Sequence, residues 1–257
     1  MQRVAVITGS STGIGRATAR RFAANGYAIL LHARTNLVDL QSVASEILEL
    51  GCPDARCVLA DITDHQARQG LVQGAFAWHG RVDAWVNNAG ADVLTTDFRK
   101  WDFESKLQLL LATDLQGTVM LSRGVSARML TQPNSHKLMP AIVNIGWDQA
   151  WLGMEGDAGQ LFCTTKAAVM AFTNSLAMSV APAVRVNCVA PGWIKTAWGA
   201  SSKDYWDLRA QGESLLQRWG TPDDVAETIY WLASPNAEFV NGQCIAVNGG
   251  RRFATES

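Results

Sequence analysis

The sequence predicts an α/β domain built on a single doubly wound parallel sheet of about seven strands with helices on both faces. Three observations carry this. Short, almost wholly apolar runs recur along the chain, longer helical patterns separate them, and a glycine-rich turn joins the first run to the first helical stretch. Val4–Ile7 is the first strand, and the turn leads into a helix over 14–25. Ala28–His32 follows as the second strand, with a helix over 36–50, and Arg56–Ala60 as the third, with a helix over 65–79. Ala84–Val86 is short and leads to a long helical stretch over 102–130. Then come Ala141–Ile145, a helix over 160–180, Val184–Val189, a helix over 222–233, and Gln243–Val247. Thr131–Pro140 is polar, contains two prolines and breaks the rhythm, so it reads as a surface excursion.

The chain has 257 residues, 22 Lys plus Arg, 23 Asp plus Glu and a formal net charge of −1. Hydrophobic residues make up 48%, enough for a sizeable core, and no linker, repeat or low-complexity tract divides it; residues 1–257 are expected to form one domain. The near-zero balance excludes a generally basic nucleic-acid binder and gives no attraction to an anionic membrane. No apolar run approaches the ~18 residues of a membrane span, and the opening segment is spent on a strand rather than a signal peptide. Cys52, Cys57, Cys163, Cys188 and Cys244 are odd in number and mostly lie in apolar segments. They read as buried thiols in a reducing compartment, so a cytoplasmic location is expected. His32, His65, His79 and His136 are scattered, and Cys52 and Cys57 have no partner pair, so no metal site is expected.

The first strand runs into Thr8-Gly9-Ser10-Ser11-Thr12-Gly13-Ile14-Gly15. Glycines there allow a tight turn and close approach of a pyrophosphate, which the helix N-terminus favours electrostatically. Taken alone, the spacing fits an ordinary strand-to-helix turn equally well. Further motifs follow: Asn87-Asn88-Ala89-Gly90 after the fourth strand, Pro191-Gly192 with Ile194 and Thr196 after the sixth, then Arg218-Trp219-Gly220-Thr221-Pro222-Asp223-Asp224-Val225, Asn241-Gly242-Gln243 and Val247-Asn248-Gly249-Gly250. In this order, and over nearly the whole chain, they resemble the short-chain dehydrogenase/reductase family, most of all its 3-oxoacyl-carrier-protein reductase type. The resemblance implies a Rossmann fold. It implies that Gly9, Gly13 and Gly15 flank the pyrophosphate, that Asp61 meets the adenine, and that Asn88, Ala89 and Gly90 run along the adenosine ribose. It places Ile194 and Thr196 near the carboxamide, Lys166 at the nicotinamide ribose, and Ser11, Ile14, Pro191 and Gly192 among the cofactor-binding residues. For Asp61 the competing reading is a helix N-cap.

Charge argues for the cofactor type. An acid ending the second strand would accept from the ribose 2′-OH and repel a 2′-phosphate. Here the stretch reads Leu31-His32-Ala33-Arg34-Thr35, with Ala33 where NAD-type relatives carry Asp. Arg34, with Arg16 at the start of the first helix, favours NADP (NADPH) through charge-assisted hydrogen bonds. The competing reading is a pair of solvated surface arginines.

At the catalytic end the pattern departs from the family. Relatives reduce carbonyls with a Tyr acid/base, a Lys four positions later, a Ser that orients the carbonyl, and a helix Asn. The Tyr position is Phe162 and Lys166 is retained; Trp147 stands at the Ser position and Asp114 at the Asn position. General acid catalysis is worth about 10²–10⁴ in rate, and neither Phe162 nor Trp147 can supply it. Tyr205 lies in the region that covers substrate in relatives, where it reads as a packing aromatic ahead of a donor. Asp148 is the first candidate for a replacement acid or anchor; Glu155 and Asp157 are further acids in the region. Trp147, Trp151, Trp193 and Trp198 fall in segments that line the cleft in relatives, where they would either stack on a flat substrate or plug a disused pocket.

Three functions are compatible: a non-catalytic NADP-binding protein, an NADPH-dependent oxidoreductase acting on an imine or pterin-like substrate through a non-standard acid, and an ordinary 3-oxoacyl or carbonyl reductase. Small-molecule substrates are expected in the last two. The resemblance, with Leu107, Leu110, Leu111, Val169, Met170 and Phe172 on more than one face of their helices, implies a homotetramer or homodimer.

Overall fold

The computed structural model describes residues 2–95, 97–133, 139–196 and 204–252. Trp198, His136 and the centre of the Thr131–Pro140 segment lie outside them. Seven strands form one sheet in the order β3-β2-β1-β4-β5-β6-β7, every neighbouring pair parallel. They are β1 Val4–Ile7, β2 Ala28–Ala33, β3 Ala55–Leu59, β4 Ala84–Asn87, β5 Ala141–Ile145, β6 Arg185–Pro191 and β7 Cys244–Val247. The expected doubly wound sheet is therefore observed.

Alternation along the strands explains why both faces are covered. Ala5 and Ile7 of β1 join Ile29, Leu31 and Val143 on one side, where they pack on α1 Gly13–Ala23 and α2 Leu37–Glu49 through Phe22, Leu40 and Ile47. Ile229 of the helix at Pro222–Ala233 closes the same layer. Val4 and Val6 point the other way, into a layer with Leu30, Trp85 and Ile142. That layer is covered by α3 His65–His79 and, further along the chain, by α5 Thr118–Met129 and α6 Gly156–Val180. A strand buried on both sides has no polar face to spend, hence the unbroken apolar runs.

Three features depart from the sequence expectation. The stretch read as one helix over 102–130 is α4 Phe103–Leu110, a π-helical turn Leu111–Gly117 and then α5. The following helix, α6, starts at Gly156 rather than 160. A helix that the periodicity did not show, α7 Asp204–Glu213, precedes α8 Pro222–Ala233. The strand order reverses between β1 and β4, whose C-terminal ends open a crevice at the switch point; that is where an open α/β sheet binds ligands.

Candidate functional site

The floor of the crevice is the turn between β1 and α1. Gly9 and Gly13 have φ of +64° and +53°, a region costly for side-chain-bearing residues. A Cβ on Gly9 would stand 2.8 Å from Ala89 Cα, and one on Gly15 only 2.1 Å from the Gly9 carbonyl oxygen. The turn is latched to the end of β4. Thr8 Oγ1 accepts from the backbone N–H groups of Asn88 and Ala89, each at 3.0 Å. Asn88 Nδ2 donates to the carbonyls of Thr8 at 3.0 Å and Gly9 at 2.9 Å.

His32 completes this floor, which sequence reasoning missed. Its Nδ1 accepts from the Gly9 N–H at 3.3 Å and Nε2 faces the Ala60 carbonyl at 3.0 Å, which fixes a neutral ring with its proton on Nε2. Burial holds its pKa below the ordinary histidine value. The available signal was its position, a histidine ending an otherwise apolar strand.

Above the floor lies a cavity of about 650 Å³ whose walls include Gly9, Ser11, Gly13, Ile14, Arg34, Asp61, Asn88, Ala89, Gly90 and Thr196. Asp61 is not a helix cap: Asp64 caps α3, and Asp61 Oδ1 accepts from the Thr63 N–H and hydroxyl at 2.9 and 2.7 Å. Partial burial pushes the Asp61 carboxyl up, but the Thr63 hydrogen bonds together with the Arg34 charge outweigh it, and its pKa is net lowered. Arg34 is on the cavity wall with no carboxylate at the end of β2. Arg16 is not on it. The Arg16 guanidinium is held by Glu46 at 2.8 Å, so the expectation of two arginines at this end is reduced to one.

A second cavity, of about 520 Å³, shares Ile14, Ala91, Leu94, Phe162 and Thr196 with the first and continues along Gly146, Trp147, Pro191, Gly192, Trp193, Ile194 and Trp206. Trp147 and Phe162, which the sequence resemblance sets at the Ser and Tyr positions, stand edge to face with ring centroids 6.1 Å apart. The only charges on its described walls are Lys166 and Asp114. The π turn carries Asp114 into the interior, where Oδ2 meets Lys166 Nζ at 2.9 Å and Oδ1 accepts from the Ala91 N–H at 2.8 Å. Asp114 thus ties the segment after β4 to the lysine on α6.

Asp148 corrects an expectation. It does not line the cleft: its Oδ2 accepts from Asn248 Nδ2 at 3.0 Å, and the carboxylate borders a small void of about 10 Å³ with Trp193, Glu213 and Arg251. The chain turns at Trp147 and sends the next side chain to the opposite side. Burial raises the Asp148 pKa, against the Asn248 hydrogen bond and the Arg251 charge. Neither Trp151, 61% exposed, nor Tyr205, 59% exposed, is on the cleft wall. Glu155 and Asp157 are likewise off that wall. Glu155 belongs to a clamp instead. Arg209 on α7 binds both Glu155 oxygens, at 2.5 and 3.1 Å, and Glu213 at 2.6 Å, while its Cζ sits 5.6 Å from the Trp193 ring and 5.7 Å from that of Trp206. Among the described residues no group of three metal-ligating side chains exists.

A parallel sheet with a glycine turn at its switch point, an Asn88 latch and a lysine on the adjoining helix defines a dinucleotide-type oxidoreductase scaffold. The comparisons narrow the class. A family profile described as "Enoyl-(Acyl carrier protein) reductase" matches residues 9–252, and the chain belongs to the short-chain dehydrogenase/reductase family of oxidoreductases. It is 34% identical over 259 residues to the (2S)-[(R)-hydroxy(phenyl)methyl]succinyl-CoA dehydrogenase subunit BbsD of Thauera aromatica, covering 97% of this chain and 96% of that one. It is 30% identical over 254 residues to the 3-oxoacyl-[acyl-carrier-protein] reductase FabG of Staphylococcus aureus, covering 97% and 98%. A short chain dehydrogenase from Burkholderia cenocepacia, solved in complex with NADP, superposes with a TM-score of 0.84 at 26% identity, over 96% of this chain and 97% of that one.

Proposed function

We propose that this protein binds NADP(H) and acts as a cofactor-binding protein without ordinary carbonyl reductase activity. One observation carries the proposal: Phe162 and Trp147 replace the two hydroxyl side chains of the family mechanism, while the retained Lys166 is engaged by Asp114 at 2.9 Å. The glycine cradle fits the cofactor, since Cβ atoms at Gly9 and Gly15 would collide with Ala89, Asn88 and the Gly9 carbonyl and break the turn that shapes it. Ser11, Gly13 and Ile14 would hold the phosphates, Asp61 the adenine, Asn88 to Gly90 the adenosine ribose, Lys166 the nicotinamide ribose, and Pro191, Gly192, Ile194 and Thr196 the carboxamide end. The NADP in the Burkholderia relative, and Arg34 with no acid at the end of β2, support the phosphorylated cofactor. Bound NADPH would supply a hydride, and nothing at positions 147 or 162 could then protonate a ketone oxygen. That the Thauera relative is named as a subunit of a dehydrogenase supports a role as one member of an assembly. We place the protein in the cytoplasm as a homodimer or homotetramer, in keeping with five free cysteines and with no described helix long and apolar enough to cross a membrane.

Titrating tryptophan fluorescence with both cofactors tests the first half. NADPH is expected to bind at least about tenfold tighter than NADH, ~1.4 kcal/mol, and Arg34→Ala to erase most of that difference. Equal affinities would overturn the cofactor assignment. For the second half, acetoacetyl esters are expected to turn over far below an ordinary ~1–10³ s⁻¹. Phe162→Tyr alone is expected to restore little, and Trp147→Ser with Phe162→Tyr more, because the two groups act as one unit.

A further inference from the structure

The sheet ends on β7, and its register with β6 sets Cys244 directly beside Cys188. Neighbouring strands run about 4.8 Å apart. That separation falls inside the Cα span of a disulfide, about 4.4–6.8 Å. Both side chains enter one small cluster with Ala150, Ala190 and Met170 of α6. The cluster confines Cys188, which is fully buried: a Cβ on Gly146 would stand 2.9 Å from its sulfur and 2.7 Å from Met170 Cγ. Cys244 is only partly buried, so solvent reaches the pair from that side. Cys52, Cys57 and Cys163 turn their thiols to the carbonyls of Tyr27, Leu40 and Gln149.

The paired thiols are unequal. Cys188 donates to Cys244, which together with burial drives the Cys188 pKa well above the ordinary thiol value. The same hydrogen bond holds Cys244 below that value, against its own burial. Thiolate is the attacking form, so the reactive sulfur is the one that solvent touches. We propose that Cys188 and Cys244 form a redox-active dithiol, which a peroxide closes into a disulfide between β6 and β7. The Cys244 sulfur attacks one peroxide oxygen, the O–O bond breaks, and the Cys244 proton leaves with the other oxygen as water. The Cys188 sulfur then attacks the sulfenic sulfur of Cys244. An S–S bond forms as the S–O bond breaks, and the Cys188 proton leaves with that oxygen as a second water. Two thiols are oxidised and one peroxide is reduced. In a reducing compartment the closed form is transient, and a small thiol reopens it through a mixed disulfide on Cys244. The proposal goes beyond the cofactor reading and stands whether or not NADP(H) binds.

The test treats the reduced, full-length protein with a slight excess of hydrogen peroxide and counts free thiols after denaturation. The count is expected to fall from five to three and to return to five with dithiothreitol. Peptide mapping is expected to join the Cys188 and Cys244 peptides within one chain. Cys244→Ser is expected to abolish the loss of thiols. Cys188→Ala is expected to stop at a sulfenic acid on Cys244, which dimedone captures. Thermal midpoints check that both variants are folded, and the peptide map of the unmodified protein decides the matter without them. A count that stays at five, a cross-link that runs through Cys52, Cys57 or Cys163 or between two chains, or a folded Cys244→Ser variant that still loses two thiols would overturn the assignment.

Discussion

His32 shows how much one side chain can change between sequence and structure. In the sequence it is one of four scattered histidines; in the fold it joins the Gly9 N–H to the Ala60 carbonyl and must be neutral to do so. Its pKa is held down by burial, so the unfolded chain binds the extra proton first. Its contribution is then intact above the ordinary value of 6.5 and is lost as pH falls through that value. Thermal midpoint and NADPH affinity are both expected to drop between about pH 7 and pH 5, and His32→Gln to flatten that drop. A profile unchanged by the substitution would show that the ring is incidental. Motif spacing singles out Phe162 and Trp147 in the sequence, and the fold brings their rings together. Asp148 was not legible: a one-residue offset in a turn decides which side a carboxylate faces, and spacing carries no such information. Asp114 was legible as a replacement but not as the lysine's partner, which depends on two elements far apart in sequence.

Helices and strands followed the sequence wherever apolar periodicity was strong. β1, β5, α3 and α8 have the predicted ends, since a bounded apolar run defines each strand and a helical pattern each helix. The π turn at Leu111–Gly117 escaped notice because wider winding over one turn displaces the apolar stripe by only about one residue. α7 was missed for the opposite reason. Its large apolar residues Tyr205 and Leu208 are 59% and 72% exposed, so no stripe marks it. At the start of the sheet, Arg81 and Asp83 form a buried ion pair beside β4, and Asp83 Oδ2 also accepts from the Val4 N–H of β1 at 2.8 Å. Asp83→Ala would remove the carboxylate that pairs with the buried Arg81 guanidinium and the side-chain acceptor of the Val4 N–H. A loss of about 3–5 kcal/mol in denaturant unfolding is expected, and one below about 1 kcal/mol would show that the pair is dispensable.

For the whole molecule, the doubly wound sheet was legible from the order of elements alone, whereas assembly was not. Leu110, Val169 and Met170, read as candidates for an intersubunit face, are spent in the chain's own core, and Leu107, Leu111 and Phe172 are half-buried there. Apolar groups left over on α5 and α6 include Met120 and Met178, 41% and 85% exposed, with Leu130 just beyond α5. Light scattering at micromolar concentration is expected to give a multiple of the 27.8 kDa chain mass. A monomer mass would refute it, and charged substitutions at Met120 and Met178 are expected to shift the mass downward. One feature of the crevice bears on how a ligand arrives there. Thr8, Asn88 and His32 fix the glycine turn through hydrogen bonds made within the chain itself, which leaves the turn little conformational entropy to lose on association. The glycine turn is a preorganised mould: encounter need not wait for a rare open state, and affinity differences among its ligands are set by how fast each one leaves.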